Sequence, residues 1–295
     1  MAKKNLKMRA EKRLEKMCRF GTSKYEYKEQ AKQIAKDNGT RDWLPIFNDL
    51  IRDKIFSYST YKTYRKESNA FFGWIEKAHP DVRNINGAKR HIGEYLNRCD
   101  SSWTAATRAA ALAKVYGIPS NKLATVSKRK REDITRSRLP TVREKTFSRE
   151  NNRELIHFCV NTGLRRFELE HLKGESLEEH GGEYSIKVKG KGGKIRSIPI
   201  TDKPVLEKMK NTPEKELVWG KVNSHAPIHS FRSEYATKLY KSLARNTKDI
   251  PYKERYVCRK DMAGKVYDKK AMAEVSKRLG HTRLSVIASH YLKIF

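Results

Sequence analysis

Apolar residues recur at helical spacing through the first 125 residues of the chain. Between Leu6 and Met17 they lie three or four positions apart, which predicts a basic helical segment at 1–40. Four more patterns of this kind follow, so residues 41–125 are predicted to form a separate, compact helical domain. The residues expected on the apolar faces of its first three helices are Trp43, Phe47 and Leu50, then Tyr61, Tyr64, Phe71, Trp74 and Ile75, then Ile92, Tyr95 and Leu96.

The hydrophobic pattern is interrupted between 126 and 146. This stretch is dense in Lys and Arg and short of large apolar residues, which is typical of an extended segment without a core of its own. We therefore expect a basic interdomain linker at 126–146 and a second domain at 147–295.

The second domain mixes helical patterns with short alternating ones. Ser148 is expected to cap a helix, and the alternation in 183–200 around Gly192 and Gly193 predicts a β-hairpin. Another small hairpin is predicted at 255–268, and a short helix at 285–295. The predicted fold class is mainly α with a small β component, in which a helical domain precedes an α+β domain.

Charge narrows the choice of partners. The chain carries 65 Lys plus Arg against 34 Asp plus Glu, a formal net charge of +31. Such a surface attracts a polyanion, and nucleic acid is the expected one because phosphate contacts release counterions. A ribosomal or other structural RNA binder also fits this charge, whereas an anionic membrane surface fits less well. The segment 1–40 is then either an additional DNA-contacting helix or a solvated helix packed on the next domain.

The cysteines and the chain's hydropathy point to a reducing compartment. Cys18, Cys99, Cys159 and Cys258 lie far apart and form no C-x-x-C pair, which indicates free thiols rather than a zinc ribbon or a disulfide framework. No apolar run approaches a membrane span, and the first 17 residues lack the apolar stretch of a secretory signal. We therefore expect a cytoplasmic protein without membrane contacts.

The second domain also carries an ordered series of polar motifs. The series is Thr162-Gly163-Leu164-Arg165, Glu168, the hairpin lysines, His229-x-x-Arg232, Leu279-Gly280-His281 and Tyr291. It resembles the catalytic signature of the tyrosine recombinase (phage integrase) family, and the resemblance covers roughly the last half of the chain. Each motif alone is weak, but their conjunction in one order is specific. Residues 41–125 resemble the family's core-binding domain less specifically, with 147–295 as the catalytic domain.

The resemblance implies a reaction. A tyrosine hydroxyl attacks the scissile phosphorus of DNA, leaving a 3′-phosphotyrosine and a free 5′-hydroxyl, and a new strand then reverses the step. Tyr291 is the implied nucleophile, and neither ATP, metal nor another cofactor is required. Arg165 and Arg232 are implied to hold the nonbridging oxygens with their planar guanidinium groups. Glu168 is implied to support the site.

The resemblance also assigns the remaining polar groups. His229 either hydrogen-bonds a phosphate oxygen or takes the tyrosine's proton, and His281 donates to another phosphate oxygen. The hairpin lysine is the general acid for the leaving 5′-oxygen. The G-K-G motif selects Lys191, with Lys189 and Lys194 as nearby rivals.

Three features depart from the family pattern. Tyr291 lies ten residues after His281, a residue more than is usual, which indicates a small insertion or a looser turn. The interval between His229-x-x-Arg232 and His281 is long, so 246–270 is predicted to be an insertion for DNA or subunit contacts. Only 292–295 follow the tyrosine, so the C-terminal helix that many relatives pass to a neighbouring subunit is expected to be shorter or replaced.

The implied function is site-specific recombination at double-stranded DNA attachment sites, for integration or excision of a phage or mobile element. The implied assembly is a dimer on each site and a tetramer on synapsis through a Holliday junction, with an accessory directionality protein possible. A bacterial or phage-encoded, nucleoid-associated protein is expected. A type IB topoisomerase and a catalytically silent DNA- or RNA-binding protein are the alternatives, and the complete set of six polar groups argues against the silent one.

Overall fold

The computed structural model describes residues 5–127, 146–190, 195–259 and 262–292. The chain divides into two compact units, 1–133 and 134–295. Most of the predicted linker at 126–146 lies outside the described residues. The bounds of the four predicted segments therefore stay predictions. None of the helices in the described ranges is both long and apolar enough to cross a membrane.

The first unit is helical throughout the part that the structure describes. Its helices are α1 (Leu6–Lys16), α2 (Lys24–Asp37), α3 (Leu44–Leu50), α4 (Tyr58–Ala78), α5 (Ile85–Ala88), α6 (Ile92–Asn97), α7 (Ser102–Tyr116) and α8 (Ser120–Leu123), with a 3₁₀ turn at Lys89–His91. Most begin at a polar N-cap: the Ser57 side chain, for example, accepts from the backbone N–H of Thr60 at the start of α4.

Helices α1, α4 and α7 share the core of this unit. Leu6 and Leu14 of α1 are buried in the same cluster as Phe71 and Ile75 of α4 and Leu112 of α7. Helix α1 therefore packs on the helices that follow it, one of the two arrangements considered for the segment 1–40. Whether its exposed Lys and Arg side chains also contact DNA stays a prediction.

Helix α3 makes a smaller, more polar packing arrangement against α2. Trp43 and Phe47 stack edge to face, with ring centroids 5.8 Å apart, and remain only half-buried. Lys28 lies 5.4 Å from the Trp43 ring and Lys24 lies 5.5 Å from the Phe47 ring. Cationic side chains thus cover this apolar face, which is why it does not join the main core.

The second unit combines helices with two small sheets. Its helices are α9 (Arg153–Thr162), α10 (Arg166–Glu170), α11 (Lys203–Lys210), α12 (Ile228–Leu243), α13 (Lys269–Arg278) and α14 (Leu284–Val286). Its strands are β1 (Leu177–His180), β2 (Glu183–Lys189), β3 (Ile195–Pro199), β4 (Arg255–Val257) and β5 (Val266–Asp268). The predicted fold class, mainly α with a small β component, is confirmed.

Both predicted hairpins are present. Strands β1, β2 and β3 form an antiparallel sheet in that order, with Ile186 opposite Ile198 on the face that joins the core. Strands β4 and β5 pair within the predicted insertion at 246–270, with Tyr256 opposite Tyr267. The tip of the first hairpin, 191–194, lies outside the described residues.

Helix α12 lies between the two hydrophobic clusters of this unit. Phe231 belongs to the cluster that includes β2 and β3, whereas Tyr235 and Tyr240 belong to a second cluster with α13. The first half of this helix therefore joins one cluster through Phe231 and the other through Tyr235, and Arg232 lies between these two residues in sequence. This position fixes the helix that carries the H-x-x-R motif.

The predicted terminal helix at 285–295 is wrong in detail. Helix α14 has only three residues and continues as a π-helical turn at Ile287–Tyr291. A π turn holds one more residue than an α turn. The additional residue between His281 and Tyr291 is therefore accommodated by this wider turn, and Tyr291 remains buried at its end.

A buried carboxylate anchors the hairpin of β4 and β5. Asp268 accepts hydrogen bonds from Arg245 Nε and Nη2, at 2.7 and 2.8 Å, and from the backbone N–H of Lys270 at the start of α13. The Arg245 hydrogen bonds hold the pKa of Asp268 well below its usual range. Arg245 also pairs with Glu254, at 2.7 Å, on the partly exposed side of the same group.

We expect Asp268→Asn to lower the free energy of unfolding by about 2 kcal/mol, because Arg245 loses a buried carboxylate while the helix cap is kept. Chemical denaturation of the DNA-free protein measures this loss. The matched control is Glu254→Gln, which removes the more exposed ion pair and should cost clearly less stability than Asp268→Asn. Equal losses of unfolding free energy in the two variants would contradict the larger contribution that we assign to Asp268.

Candidate active site

The Tyr291 hydroxyl lies where two motifs meet. His281 Nε2 is 3.1 Å from the hydroxyl oxygen, and Arg232 Nε donates to that oxygen at 3.3 Å. The Tyr291 ring is buried, and its backbone carbonyl accepts hydrogen bonds from Ser233 Oγ and Thr237 Oγ1 of α12. The tyrosine is therefore held at its hydroxyl and at its backbone, so the hydroxyl points in a fixed direction.

Arg232 is the most deeply buried charged group of the site, with only 1% of its surface exposed. Its Nη1 and Nη2 each donate to one backbone carbonyl, that of Gly163 and that of Leu279, and each of these nitrogens carries a second N–H group. Burial, partly offset by the neighbouring Tyr291, lowers the pKa of Arg232 to about 10. The group stays positive at neutral pH, because that pKa is still far above 7.

Gly163 provides one of these carbonyls because of its backbone conformation. It ends α9 with φ +61°, in the left-handed region that favours glycine. A Cβ at this position would overlap the ring of Tyr235 on α12. The T-G-L-R motif thus needs its glycine both for the turn and for the close approach of α12, and this brings Arg165 and Arg232 to the same place.

Arg165 contacts the same end of α13 as Arg232. Its Nη2 donates to the Leu279 carbonyl at 3.1 Å, and about a quarter of its side chain remains exposed. The carbonyls at a helix C-terminus carry partial negative charge, which stabilises guanidinium groups near them. The free face of Arg165 is therefore positioned for an anion.

Glu168 is the carboxylate buried beneath these groups. Its Oε2 accepts from the backbone N–H of Arg165 and its Oε1 from Arg165 Nη1, both at 2.7 Å. Hydrogen bonds from Arg196 and Arg165 outweigh the effect of burial and lower the pKa of Glu168 to about 2. Glu168 is therefore ionised, and its two hydrogen bonds with Arg165 fix the orientation of that side chain.

Arg196 is a member of the cluster that the sequence motifs do not include. It is buried, donates to both oxygens of Glu168 at 2.7 Å, and its Nε donates to the Arg278 carbonyl at 2.8 Å. The signal in the sequence is its position in the strand. Arg196 lies two residues before Ile198, so both side chains point to the inward face of β3. An arginine at an inward position of a half-buried strand needs a buried partner.

The two histidines occupy different positions relative to Tyr291. His281 Nε2 makes the hydrogen-bond contact, whereas the His229 ring lies edge to face with the tyrosine ring, at 5.2 Å between centroids, and keeps an exposed surface. The resemblance implies that His229 bonds a phosphate oxygen or takes the tyrosine's proton, and that His281 donates to another phosphate oxygen. In this structure the contact with the hydroxyl belongs to His281.

The charge around His281 keeps its ring neutral. Burial, with the positive charges of Arg232 and Arg165, lowers the pKa of His281 to about 4. Desolvation and Arg232 also lower the pKa of His229. At neutral pH the ring therefore carries one proton, and in the tautomer with that proton on Nδ1 the Nε2 atom accepts the hydrogen bond that the Tyr291 hydroxyl donates.

The depressed pKa of His281 makes the stability of the DNA-free protein depend on pH. The unfolded chain takes up a proton near pH 6.5 and the folded protein only near pH 4, so His281 contributes stability that is present above pH 6.5 and lost as the pH falls to 4. Between pH 7 and 4.5 we expect a loss of about 2 kcal/mol. Glu168 contributes only below this window, since its own pKa falls from 4.5 to about 2.

Thermal or chemical unfolding at several pH values measures this dependence. His281→Gln should reduce the slope of the curve between pH 7 and 4.5, and the lowered pKa of His229 should account for part of the slope that remains. The control is His180→Gln, which replaces an exposed histidine at the end of β1 and should leave the slope unchanged. An unaltered slope in His281→Gln would refute the assignment.

The hairpin lysines are only partly described. Lys189 ends β2, opposite Ile195, and its side chain is exposed. Lys191 and Lys194 lie outside the described residues. The structure thus brings together Arg165, Glu168, Arg232, His281 and Tyr291, with His229 beside the tyrosine ring, and the choice of lysine stays a prediction.

Two solved structures resemble this fold over nearly its whole length. Both are crystal structures of XerH site-specific recombinase, one with palindromic difH substrate in a post-cleavage complex and one with difH substrate in a pre-cleavage complex. They are 15% and 16% identical to this chain, each with a TM-score of 0.51. The alignments cover 99% of this chain and 93% and 92% of those chains. Comparisons with protein-family models and with curated proteins found no match.

At this level of identity the agreement concerns the fold, and it extends over both units of the chain. The fold of this chain is similar to that of the XerH recombinase in these two structures, in agreement with the resemblance that the motif series showed.

Proposed function

We propose that this protein is a site-specific tyrosine recombinase, which cuts and rejoins double-stranded DNA through a 3′-phosphotyrosine at Tyr291. The observation that carries the proposal is the Tyr291 hydroxyl, which lies within hydrogen-bonding distance of both a buried arginine and a neutral histidine. The XerH structures with a similar fold are complexes with difH substrate, which supports DNA as the substrate class.

The first step is attack by Tyr291 on the scissile phosphorus. The hydroxyl oxygen forms the new P–O bond as its proton passes to His281 Nε2, 3.1 Å away. The bond between phosphorus and the 5′-oxygen breaks, and that oxygen takes a proton from a hairpin lysine. Lys191 is our choice for this lysine, with Lys189 and Lys194 as alternatives.

Electrostatic stabilisation supplies most of the catalysis in this proposal. The pentacoordinate transition state carries additional negative charge on its nonbridging oxygens, and donors fixed in advance stabilise that charge without reorganising. Arg165 and Arg232 supply those donors, and the accessible face of His229 can reach a phosphate oxygen. Glu168 and Arg196 hold Arg165 in place.

The covalent intermediate retains the energy of the phosphodiester bond, so the proposal needs neither ATP nor a metal. The biological setting that we propose is integration or excision of a phage or mobile element in the bacterial cytoplasm. Dimers would occupy each attachment site and synapse as a tetramer through a Holliday junction. An accessory protein that sets direction is compatible with this scheme.

The test is to trap the covalent complex on nicked DNA. A duplex selected by binding from a randomised pool is nicked just 3′ of each trial cut position, so that a short 5′-hydroxyl fragment diffuses away after cleavage. We expect a denaturation-resistant protein–DNA band in the presence of EDTA. Protease digestion and mass spectrometry should place the nucleotide adduct on Tyr291.

The alternatives give different results. A type IB topoisomerase would form the same adduct but relax supercoiled plasmid as a monomer and exchange no strands when a second site is added. A silent DNA-binding protein would bind the selected duplex and form no adduct at any nick position. Strand exchange between two sites supports the recombinase over both.

A further inference from the structure

A cluster of three potential metal ligands lies in the helical first unit. Among the described residues, His79, His91 and Glu94 are the group whose ligand atoms all come within 4.8 Å of one another. His79 caps the C-terminus of α4, His91 ends the 3₁₀ turn and Glu94 lies in α6. The proposed recombinase chemistry uses none of these three side chains.

Two of the three distances within the cluster are close to those of a tetrahedral zinc site. Glu94 Oε2 is 3.1 Å from His79 Nε2 and 3.7 Å from His91 Nδ1. Ligands bound to Zn²⁺ at 2.0–2.1 Å in tetrahedral geometry lie about 3.3 Å apart. The third pair, the ligand nitrogens of His79 and His91, lies within 4.8 Å. Because an imidazole lone pair lies in the plane of its ring, a shared ion requires the two rings to rotate about their side-chain bonds.

The two imidazole rings are held side by side. Their centroids are 3.6 Å apart with an interplanar angle of 26°, and the Trp74 ring packs edge-on against His79 at 5.0 Å. Their side chains are largely covered, with 21% and 16% exposed for His79 and His91. The pair is thus partly desolvated and its ligand atoms are already close together, although the stacked rings must turn away from each other for both lone pairs to meet one ion.

We propose that His79, His91 and Glu94 bind a divalent transition metal, with Zn²⁺ as the preferred ion and a fourth position open to water. Two imidazoles and one carboxylate are a ligand set that zinc accepts. The bound ion ties the end of α4 to α6 and stabilises the helical unit. This inference is independent of the proposed strand-cutting function.

Binding requires a change of tautomer, which involves Arg90. Arg90 Nε donates to His91 Nε2 at 3.0 Å, which places the proton of the neutral ring on Nδ1. Coordination through Nδ1 moves that proton to Nε2, and the Arg90 contact is lost. The Arg90 side chain is mostly exposed and also contacts Asp81 at 3.3 Å, so it is able to move away. Arg90 consequently competes with the metal.

The experiment titrates the full-length, tag-free protein with ZnCl₂ after treatment with chelator and gel filtration. Calorimetry should give one site, and Co²⁺ should give the visible absorption of a tetrahedral N/O site. His79→Gln and His91→Gln should each weaken Zn²⁺ binding by at least ~100-fold. Arg90→Ala should tighten it several-fold, because the competing contact is removed. Zn²⁺ should raise the melting temperature of the wild type and of Arg90→Ala. It should not raise the melting temperature of His79→Gln or His91→Gln.

The matched control is His157→Gln, since His157 also pairs with a carboxylate, that of Asp202 at 2.9 Å, in the other unit. Zinc affinity should be unchanged in this variant. Melting curves without metal establish that each variant is folded. The proposal is overturned by a wild type that binds neither ion, or by affinity that is the same in His79→Gln, His91→Gln and wild type. The result of the zinc titration does not depend on whether the protein cleaves DNA, so the metal site and the proposed function are tested separately.

Discussion

Tyr291→Phe is expected to abolish the covalent protein–DNA complex while leaving the fold intact. Only 5% of Tyr291 is exposed, and its ring packs with Ile287 and Leu279 in the core of the second unit. Phenylalanine keeps that packing and removes only the hydroxyl that contacts Arg232 and His281. Loss of a covalent nucleophile typically costs at least about 10⁴-fold in rate.

The nicked-duplex assay measures this effect, and a gel shift shows that DNA binding is retained. The control is Tyr235→Phe, which removes another hydroxyl from a buried tyrosine one helical turn from Arg232. That variant should keep most of the covalent product. An adduct that survives in Tyr291→Phe, or disappears equally in both variants, would assign the nucleophile elsewhere.

The second large effect is expected for Arg196→Met. The substitution leaves Glu168 buried with only Arg165 as its ion partner and removes the contact with the Arg278 carbonyl. Breaking a buried pair from one side usually costs about 3–5 kcal/mol of stability. We also expect roughly 100-fold slower cleavage, because a misplacement of about 1 Å at Arg165 is enough for that loss.

A double variant separates positioning from stability. Glu168→Leu combined with Arg196→Met replaces both charges, so much of the lost stability should return, as it does when buried ion pairs become apolar. Cleavage should remain slow, since Arg165 has then lost the carboxylate that orients it. Lys187→Met, on the exposed face of the same hairpin, is the control and should change neither quantity strongly. Full recovery of cleavage in the double variant would show that Arg196 acts through stability alone.

Local patterns predicted the parts of the site that depend on neighbouring residues. The glycine of T-G-L-R indicated a turn before a helix, and Gly163 does end α9 in a left-handed conformation. Alternation around Gly192 and Gly193 indicated the hairpin, and β2 and β3 pair on either side of that tip. In both cases a few adjacent residues determine the backbone, so the sequence is sufficient.

Contacts between distant segments could not be predicted in this way. The partnership of Arg196 with Glu168 spans 28 positions and depends on how the hairpin packs against α10. Likewise, the choice of His281 over His229 at the Tyr291 hydroxyl depends on the π turn at Ile287–Tyr291. Such a turn has no reliable sequence signature, because its stability comes from the surrounding tertiary packing.

The docking of Tyr291 on α12 bears on whether the proposed cleavage occurs in cis or in trans. One helix holds the tyrosine's carbonyl through Ser233 and Thr237 and its hydroxyl through Arg232. If Tyr291 is the nucleophile that we propose, this anchoring favours its use with the arginines of its own chain over those of a neighbouring subunit. We therefore expect cleavage in cis: in a mixed assembly, a protomer lacking Tyr291 and one lacking Arg232 should not complement each other, and the subunit bound at a half-site is the one that cuts it.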